Sequence, residues 1–462
     1  MIPNENEKQP RFAYRGLMLD CCRHFFSVEE IKKIIAQMAV LKMNAFHWHL
    51  SNDQGYRIES KLFPKLNTVS SYRKLDELDP LVTSGKYSAG DTYGGFYTQD
   101  EIRDVVAFAA ERGVDVIPEI ELPGHTTAIL AAYPEYSCRK EPMQVASTFG
   151  IHERIVCAGN DAAYAFLEQL LREAAALFPS KYFHIGGDEA PKSEWKACPA
   201  CRAAMEKEGP QNYEQLQVRF MNRIIAFLKT LGKTAIVWNE SVIADGLDES
   251  AVVQYWMEMA PGASYCEKEI AKGRKFIFSN QCQFYCDYSY AETPLRATLN
   301  FEPNVKGITV PEENVLGIEA PMWTEWISEE AELEKMLYPR LLAVAECGWS
   351  HRRNTDAFLE RAKAFLKEPQ NNYLVPMPWE EATVGGERAL REIARNMISL
   401  SERHGKMAQK QGKASAQAVL PEDAPKEDPA AAAYRYMKAK MEAAYSEEEI
   451  QKVMRYLAEE RA

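Results

Sequence analysis

The chain has 462 residues, 46% of them hydrophobic, enough for one large core and more than the roughly 250 residues a (β/α)8 barrel needs. Its 67 acidic and 55 basic residues give a formal charge of −12 with no basic stripe, which argues against nucleic-acid or anionic-membrane partners and favours a neutral substrate. No stretch approaches the ~18 apolar residues of a membrane span, and MIPNENEKQP lacks the pattern of a secretory leader, so a cytoplasmic protein is expected. Ten cysteines are too sparse for a disulfide scaffold, and reduced thiols, such as a buried Cys21 and Cys22, are expected.

In chain order, FAYRGLMLD (12–20) predicts a strand, and Ser27 with Glu30 three residues on predicts a capping box opening the helix VEEIKKIIAQMAVLK. Strand and helix then alternate: 43–50 with 100–113, 114–122 with 162–178, and 182–189 with 213–232. Four more strands are predicted at 234–240, 251–257, 275–280 and 315–323, with short helices after the fifth to seventh and a helix from about Glu329 to Cys347 after the eighth. Apolar strands alternating with amphipathic helices indicate a parallel sheet covered by helices, and eight repeats predict closure into a TIM (β/α)8 barrel spanning 12–350. No GxGxxG follows the first strand, so a dinucleotide-binding sheet lacks its fingerprint. The long connections 51–99 and 123–161 both follow strand C-termini, where such barrels carry their active sites.

Residues 1–11 read as a tail, 351–410 as a helical extension, 411–432 as a flexible linker rich in Ala, Pro and charge, and 433–462 as one charged helix. Tyr434, Met437, Met441, Tyr445, Ile450, Met454 and Leu457 form its apolar stripe, expected to dock on the barrel or on a second copy of the chain. Residues beyond 411 are expected to be dispensable for hydrolysis of a small substrate.

Polar and aromatic residues cluster at the strand ends: Arg15 and Asp20, His49 and Asp53, Glu119, Glu121 and His125, Asp188 and Glu189, then Trp238, Trp256, Tyr285 with Asp287, and Trp323 with Glu325. Read as strand neighbours, Asp188 and Glu189 point to opposite sides and cannot form a nucleophile and acid pair about 5 Å apart. A 2-acetamido sugar gives them separate tasks. Its own amide oxygen attacks C1 while one carboxylate holds the amide N–H and the other protonates the leaving oxygen.

The segment HIGGDEAPKSEW (184–195) resembles the signature of glycoside hydrolase family 20, the β-N-acetylhexosaminidases. The resemblance runs through RGLMLDCCRHF (15–25), NAFHWHLSNDQGYRIE (44–59), PEIELPGH (118–125), VWNE (237–240), VQYW (253–256), Tyr285-Cys-Asp287 and WTE (323–325). It implies a retaining, substrate-assisted exo-hydrolase of β-linked GlcNAc or GalNAc with no catalytic metal. It makes Glu189 the acid/base, Asp188 the group that orients the acetamide, and Tyr285 a donor to the acetamido oxygen. His125 falls in the substrate site, Trp238, Trp256 and Trp323 box the sugar, Arg15 grips the C3 and C4 hydroxyls, and Asp287 and Glu325 take those at C4 and C6. Two positions depart from the family pattern, Glu121 where Asp is common and Asn239 in WNE where WDE is common; the first is expected to re-space a contact to His125. A disaccharide-releasing relative and a silent carbohydrate-binding barrel are the competing readings.

Cys138, Cys157, Cys198 and Cys201, the last two in a CPAC motif, suit a structural zinc, two loop disulfides or four free thiols, and the sequence leaves these open.

Overall fold

The computed structural model describes residues 9–410, except 259, 261 and 352, and residues 437–461. Eight parallel strands close into a barrel: β1 (Tyr14–Asp20), β2 (Ala45–His49), β3 (Asp115–Glu119), β4 (Tyr182–His184), β5 (Thr234–Trp238), β6 (Val252–Tyr255), β7 (Phe276–Phe278) and β8 (Val315–Met322). Each pairs with its sequence neighbour, and β1 closes the barrel on β8. All eight predicted strands are present. Four long helices follow the first four strands: α1 (Val28–Val40), α2 (Gln99–Ala110), α3 (Asp161–Ala175) and α4 (Tyr213–Thr230). Ser27 caps α1 as predicted, accepting from the Glu30 amide at 3.1 Å, but the Glu30 carboxylate turns to Lys33 instead of completing the box.

The barrel interior is layered. Tyr14, Ala45, Ile117, Ile236, Val252 and Ile277 plug the bottom with apolar side chains. Above them lies a buried polar layer. His47 sits 3.0 Å from Glu119 and 2.9 Å from Glu319, His184 lies 2.6 Å from Glu119, and Gln254 donates to Glu319 at 2.6 Å. Burial opposes a charge on His47, but Glu319 and Glu119 push its pKa up to about 10, so paired charges fill the middle of the barrel. This layer floors the site at the strand C-termini.

After β5, β6 and β7 the helices are short, as expected: a 3-10 turn at Asn239–Val242, then Cys266–Ala271 and Leu295–Leu299. The extension after the barrel contains helices Thr355–Leu366 and Gly386–Lys410. The expected single helix at the C-terminal end is two. Helix 437–441 stops at a turn, and Glu447–Arg461 starts afresh because Ser446 and Glu449 form a capping box, the serine amide donating to Glu449 at 2.8 Å.

The apolar stripe docks within the chain. Met437, Met441, Tyr445 and Ile450 are buried and Met454 and Leu457 partly so, while Tyr434 lies outside the described residues, as does the predicted linker. Among the described residues of this segment, no large exposed hydrophobic side chain is left for a second copy. Segment 437–445 lies against the β7 connection: Arg296 and Asn300 donate to the carbonyls of Ala444 and Ala443, and Tyr445 donates to Ala291. Lys440, only 3% exposed, pairs with Glu292 at 2.9 Å and rests over the Tyr288 ring. The tail therefore packs against the loop that carries Tyr285 and Asp287. No described helix is long and apolar enough to cross a membrane.

Candidate active site

β4 ends at His184, and from Gly186 the chain leaves extended geometry instead of continuing the strand. Gly186 and Gly187 have φ of +64° and +105°, and Glu189 itself has φ of +40°. A Cβ on Gly186 would sit 1.7 Å from the Glu121 carboxylate and one on Gly187 1.9 Å from Ser241 Oγ, so only glycine allows this turn. The opposite-sides expectation for Asp188 and Glu189 fails here, because strand alternation ended at His184. Oxygens of both carboxylates and Nε2 of His125 lie within 4.8 Å of one another.

The two acids differ in environment. The Asp188 side chain is 11% exposed and that of Glu189 35%. Burial, with Glu189 and Glu119 nearby, pushes the Asp188 pKa up to about 6 although His125 pulls it down. His125 is the hinge between them, 3.7 Å from Asp188 and 3.4 Å from Glu189 at Nε2, while its Nδ1 donates to Asp53 at 2.8 Å. Burial disfavours its cation, but Asp53, Glu189 and Asp188 raise its pKa well above the usual imidazole value. Thr127 N–H donates to the other Asp53 oxygen at 3.0 Å, fixing that carboxylate.

Glu121 does not re-space a contact to His125. It lies beside Asp188, and burial, Asp188 and Glu119 push its pKa well up. Asn239 accepts from the Trp256 backbone N–H at 3.1 Å, and Glu240 accepts from the Trp256 indole at 3.0 Å, so the asparagine of WNE still holds its tryptophan.

The aromatic residues converge as predicted. Trp238, 1% exposed, is tied to Glu119 by its indole N–H at 3.0 Å and lies 6.0 Å from Trp323 between ring centroids. Tyr285 stacks on Trp256 at 6.3 Å and lies 6.5 Å from Trp323. Burial holds the Tyr285 hydroxyl protonated, its pKa well above the usual value. Asp287 has an oxygen without a protein partner, and burial with Glu325 nearby pushes its pKa up to about 8. An unpartnered buried acceptor beside aromatic walls suits a sugar hydroxyl.

Arg15 is a correction. It lies near the N-terminal end of β1, at the opposite end of the barrel, where its guanidinium donates to the carbonyls of Phe12 at 2.7 Å and Lys42 at 2.9 Å. The rim arginine is Arg23, three residues past the end of β1. It lies 3.2 Å from Asp20 and 3.4 Å from Glu325, donates to Gln54 at 3.0 Å, and covers the Trp323 ring at 5.2 Å. The same rule that pointed to the rim, position at a strand's C-terminal end, identifies Arg23 and excludes Arg15.

Residues 12–352 match the catalytic domain of glycosyl hydrolase family 20. A β-hexosaminidase of Porphyromonas gingivalis is 37% identical over 81% of this chain and 48% of its own length, and one of Vibrio furnissii is 38% identical over 73% and 57%. The chain thus spans about half the length of these curated relatives. A crystal structure of an exo-β-N-acetylglucosaminidase from Vibrio harveyi with N-acetylglucosamine superposes with a TM-score of 0.69 at 32% identity, covering 80% of this chain and 60% of that one. With the barrel, the Gly-Gly-Asp-Glu turn and the aromatic rim in one place, the chain belongs to glycoside hydrolase family 20.

Proposed function

We propose that this chain is an exo-β-N-acetylhexosaminidase that removes terminal, non-reducing β-linked GlcNAc or GalNAc from glycans by substrate-assisted, retaining catalysis. One observation carries the reading: two adjacent carboxylates of unequal exposure, Asp188 buried near Tyr285 and Glu189 more open to solvent. Carboxylate separation alone would also suit a conventional nucleophile. A buried aspartate near a cluster of aromatic side chains instead suits an acetamido group, whose methyl needs apolar walls and whose N–H needs an anion.

In this reading the acetamido oxygen attacks C1 as Glu189 protonates the leaving oxygen. Asp188 accepts the amide N–H and balances the oxazolinium charge, while Tyr285 donates to the acetamido oxygen. Glu189, now a carboxylate, takes a proton from water as it opens the ring. Arg23 takes over the hydroxyl grip expected of Arg15, with its ion-pair partner Glu325 and Asp287 taking neighbouring hydroxyls. Donor, nucleophile and orienting anion are all organic groups, so the chemistry needs no metal.

The test is hydrolysis of nitrophenyl β-glycosides of GlcNAc, GalNAc and lacto-N-biose, with a GlcNAc thiazoline as inhibitor. Release of the monosaccharides with strong thiazoline inhibition is expected. Turnover of lacto-N-biose alone would make it a disaccharide-releasing enzyme, turnover of none a binding barrel, and thiazoline indifference would remove the substrate-assisted step.

The tail enters this reading through Lys440. Lys440→Met breaks a buried ion pair under the Tyr285 loop, and small misplacements of a catalytic group cost up to about 10²-fold. Deleting residues 411–462, or this single change, is expected to lower kcat/KM on the aryl GlcNAc glycoside by about tenfold or more. Unchanged kcat/KM in a folded truncation would return the tail to a passive role.

A further inference from the structure

Four of the ten cysteines meet away from the carboxylates, between two connections of the catalytic face. Cys138 and Cys157 belong to the connection after β3, where Ser137 and Val156 form an antiparallel bridge and the Cys157 amide donates to Tyr136 at 2.9 Å. Cys198 and Cys201 belong to the connection after β4, nine and twelve residues beyond Glu189, with Cys198 at the N-cap of helix Pro199–Glu208. The two connections dock closely. The Trp195 indole donates to the Val156 carbonyl at 2.9 Å, and a Cβ on Gly159 would lie 2.2 Å from the Ala200 backbone.

We propose that Cys138, Cys157, Cys198 and Cys201 bind one structural Zn2+ that clamps the two connections together. All four sulfurs lie within 4.8 Å of one another. Cys157 is 3.6 Å from Cys201 and 3.8 Å from Cys198, and Cys138 is 3.8 Å from Cys201. Zn–S bonds of about 2.3 Å in a tetrahedron put sulfurs about 3.8 Å apart, close to the three separations here. Disulfides would instead bring sulfurs pairwise to about 2 Å and leave the two pairs apart. Here Cys157 is shared almost equally between Cys198 and Cys201.

The surroundings suit thiolates. The Gly159 amide donates to Cys157 sulfur, and the N-terminus of the ten-residue helix after Cys198 favours negative charge. Binding would release the four thiol protons as Zn2+ takes four sulfurs, leaving no open position, so the ion holds structure and takes no part in hydrolysis. Its service to the site is mechanical: it ties the segment that follows Glu189 to the one that follows His125.

Metal analysis of the full-length protein, purified without added metal, tests this directly. About one zinc per chain is expected. The Cys198→Ser/Cys201→Ser double variant should lose it, and Co2+ exchanged into the wild type should give the visible absorption of a tetrahedral tetrathiolate, weakened by Cys138→Ser. Chelation should lower the melting temperature. Folded protein without zinc, a double variant that retains it, or two disulfides found by non-reducing mass analysis would each overturn the site. The clamp stands or falls apart from the hydrolase reading, because metal content is measured without substrate.

Discussion

Glu189→Gln is expected to lower turnover on an oligosaccharide or alkyl GlcNAc glycoside by about 10²–10⁴, the usual yield of a general acid, and to cost a nitrophenyl glycoside clearly less. A nitrophenolate leaves without a proton and an alkoxide does not. The remaining loss on the aryl substrate reflects the second half of the reaction, where the same carboxylate must deprotonate water. The geometry favours this double duty. His125, fixed by Asp53 at 2.8 Å and held as a cation, stands 3.4 Å from Glu189 and stabilises the carboxylate left once the proton has gone. Azide, which attacks without a base, should restore part of the aryl turnover in the variant. The check is the ratio of the two losses: equal loss on both substrates, with no azide effect, would remove Glu189 from the acid/base role.

Much of this site could be read from the sequence because the barrel makes position along a strand equivalent to height in the site. Trp238, Trp256, Tyr285, Asp287, Trp323 and Glu325 all end or follow apolar strands, and all converge on the rim. Arg15 departs from that measure of height: it lies at the start of its strand, while Arg23 lies beyond the end. The placement of Asp188 and Glu189 on opposite faces failed for a different reason. Alternation holds only while the strand lasts, and Gly186 and Gly187, adjacent in sequence, were the signal that it does not.

The buried layer of His47, Glu119, His184 and Glu319 was only partly legible, since isolated polar residues in apolar strands reveal a partner only once the barrel closes. In the tail, the Ser446-to-Glu449 spacing carried the capping signal that splits the helix, but the continuous apolar stripe masked it. The bracing role of Lys440 depends on a contact 148 residues away along the chain, which no local pattern reveals.

Asp188→Asn is expected to lower turnover by about 10²–10³ while making the folded protein more stable at neutral pH. The loss follows from charge: asparagine can still accept the acetamido N–H, but it does not balance the oxazolinium that forms as the amide oxygen attacks. The gain follows from burial. The Asp188 pKa rises from 3.8 to about 6 in the folded chain, first through loss of solvent and then through Glu189 and Glu119. A carboxyl whose folded pKa exceeds its unfolded one resists ionisation in the fold. Its cost is absent below about pH 4, grows between 4 and 6, and is complete above 6. Two pKa units correspond to about 3 kcal/mol, an upper figure for what the neutral amide recovers, because His125 loses an anionic neighbour in exchange. The melting temperature of the variant should therefore exceed that of the wild type at pH 7, and the gap should close as pH falls toward 4. The wild type should also lose kcat/KM as Asp188 takes up its proton near pH 6, a limb absent from the residual activity of the variant. A variant less stable than the wild type across this range, or an unchanged acidic limb, would mean that Asp188 is held as a stabilising partner of His125 and not as a strained anion kept for the acetamido group.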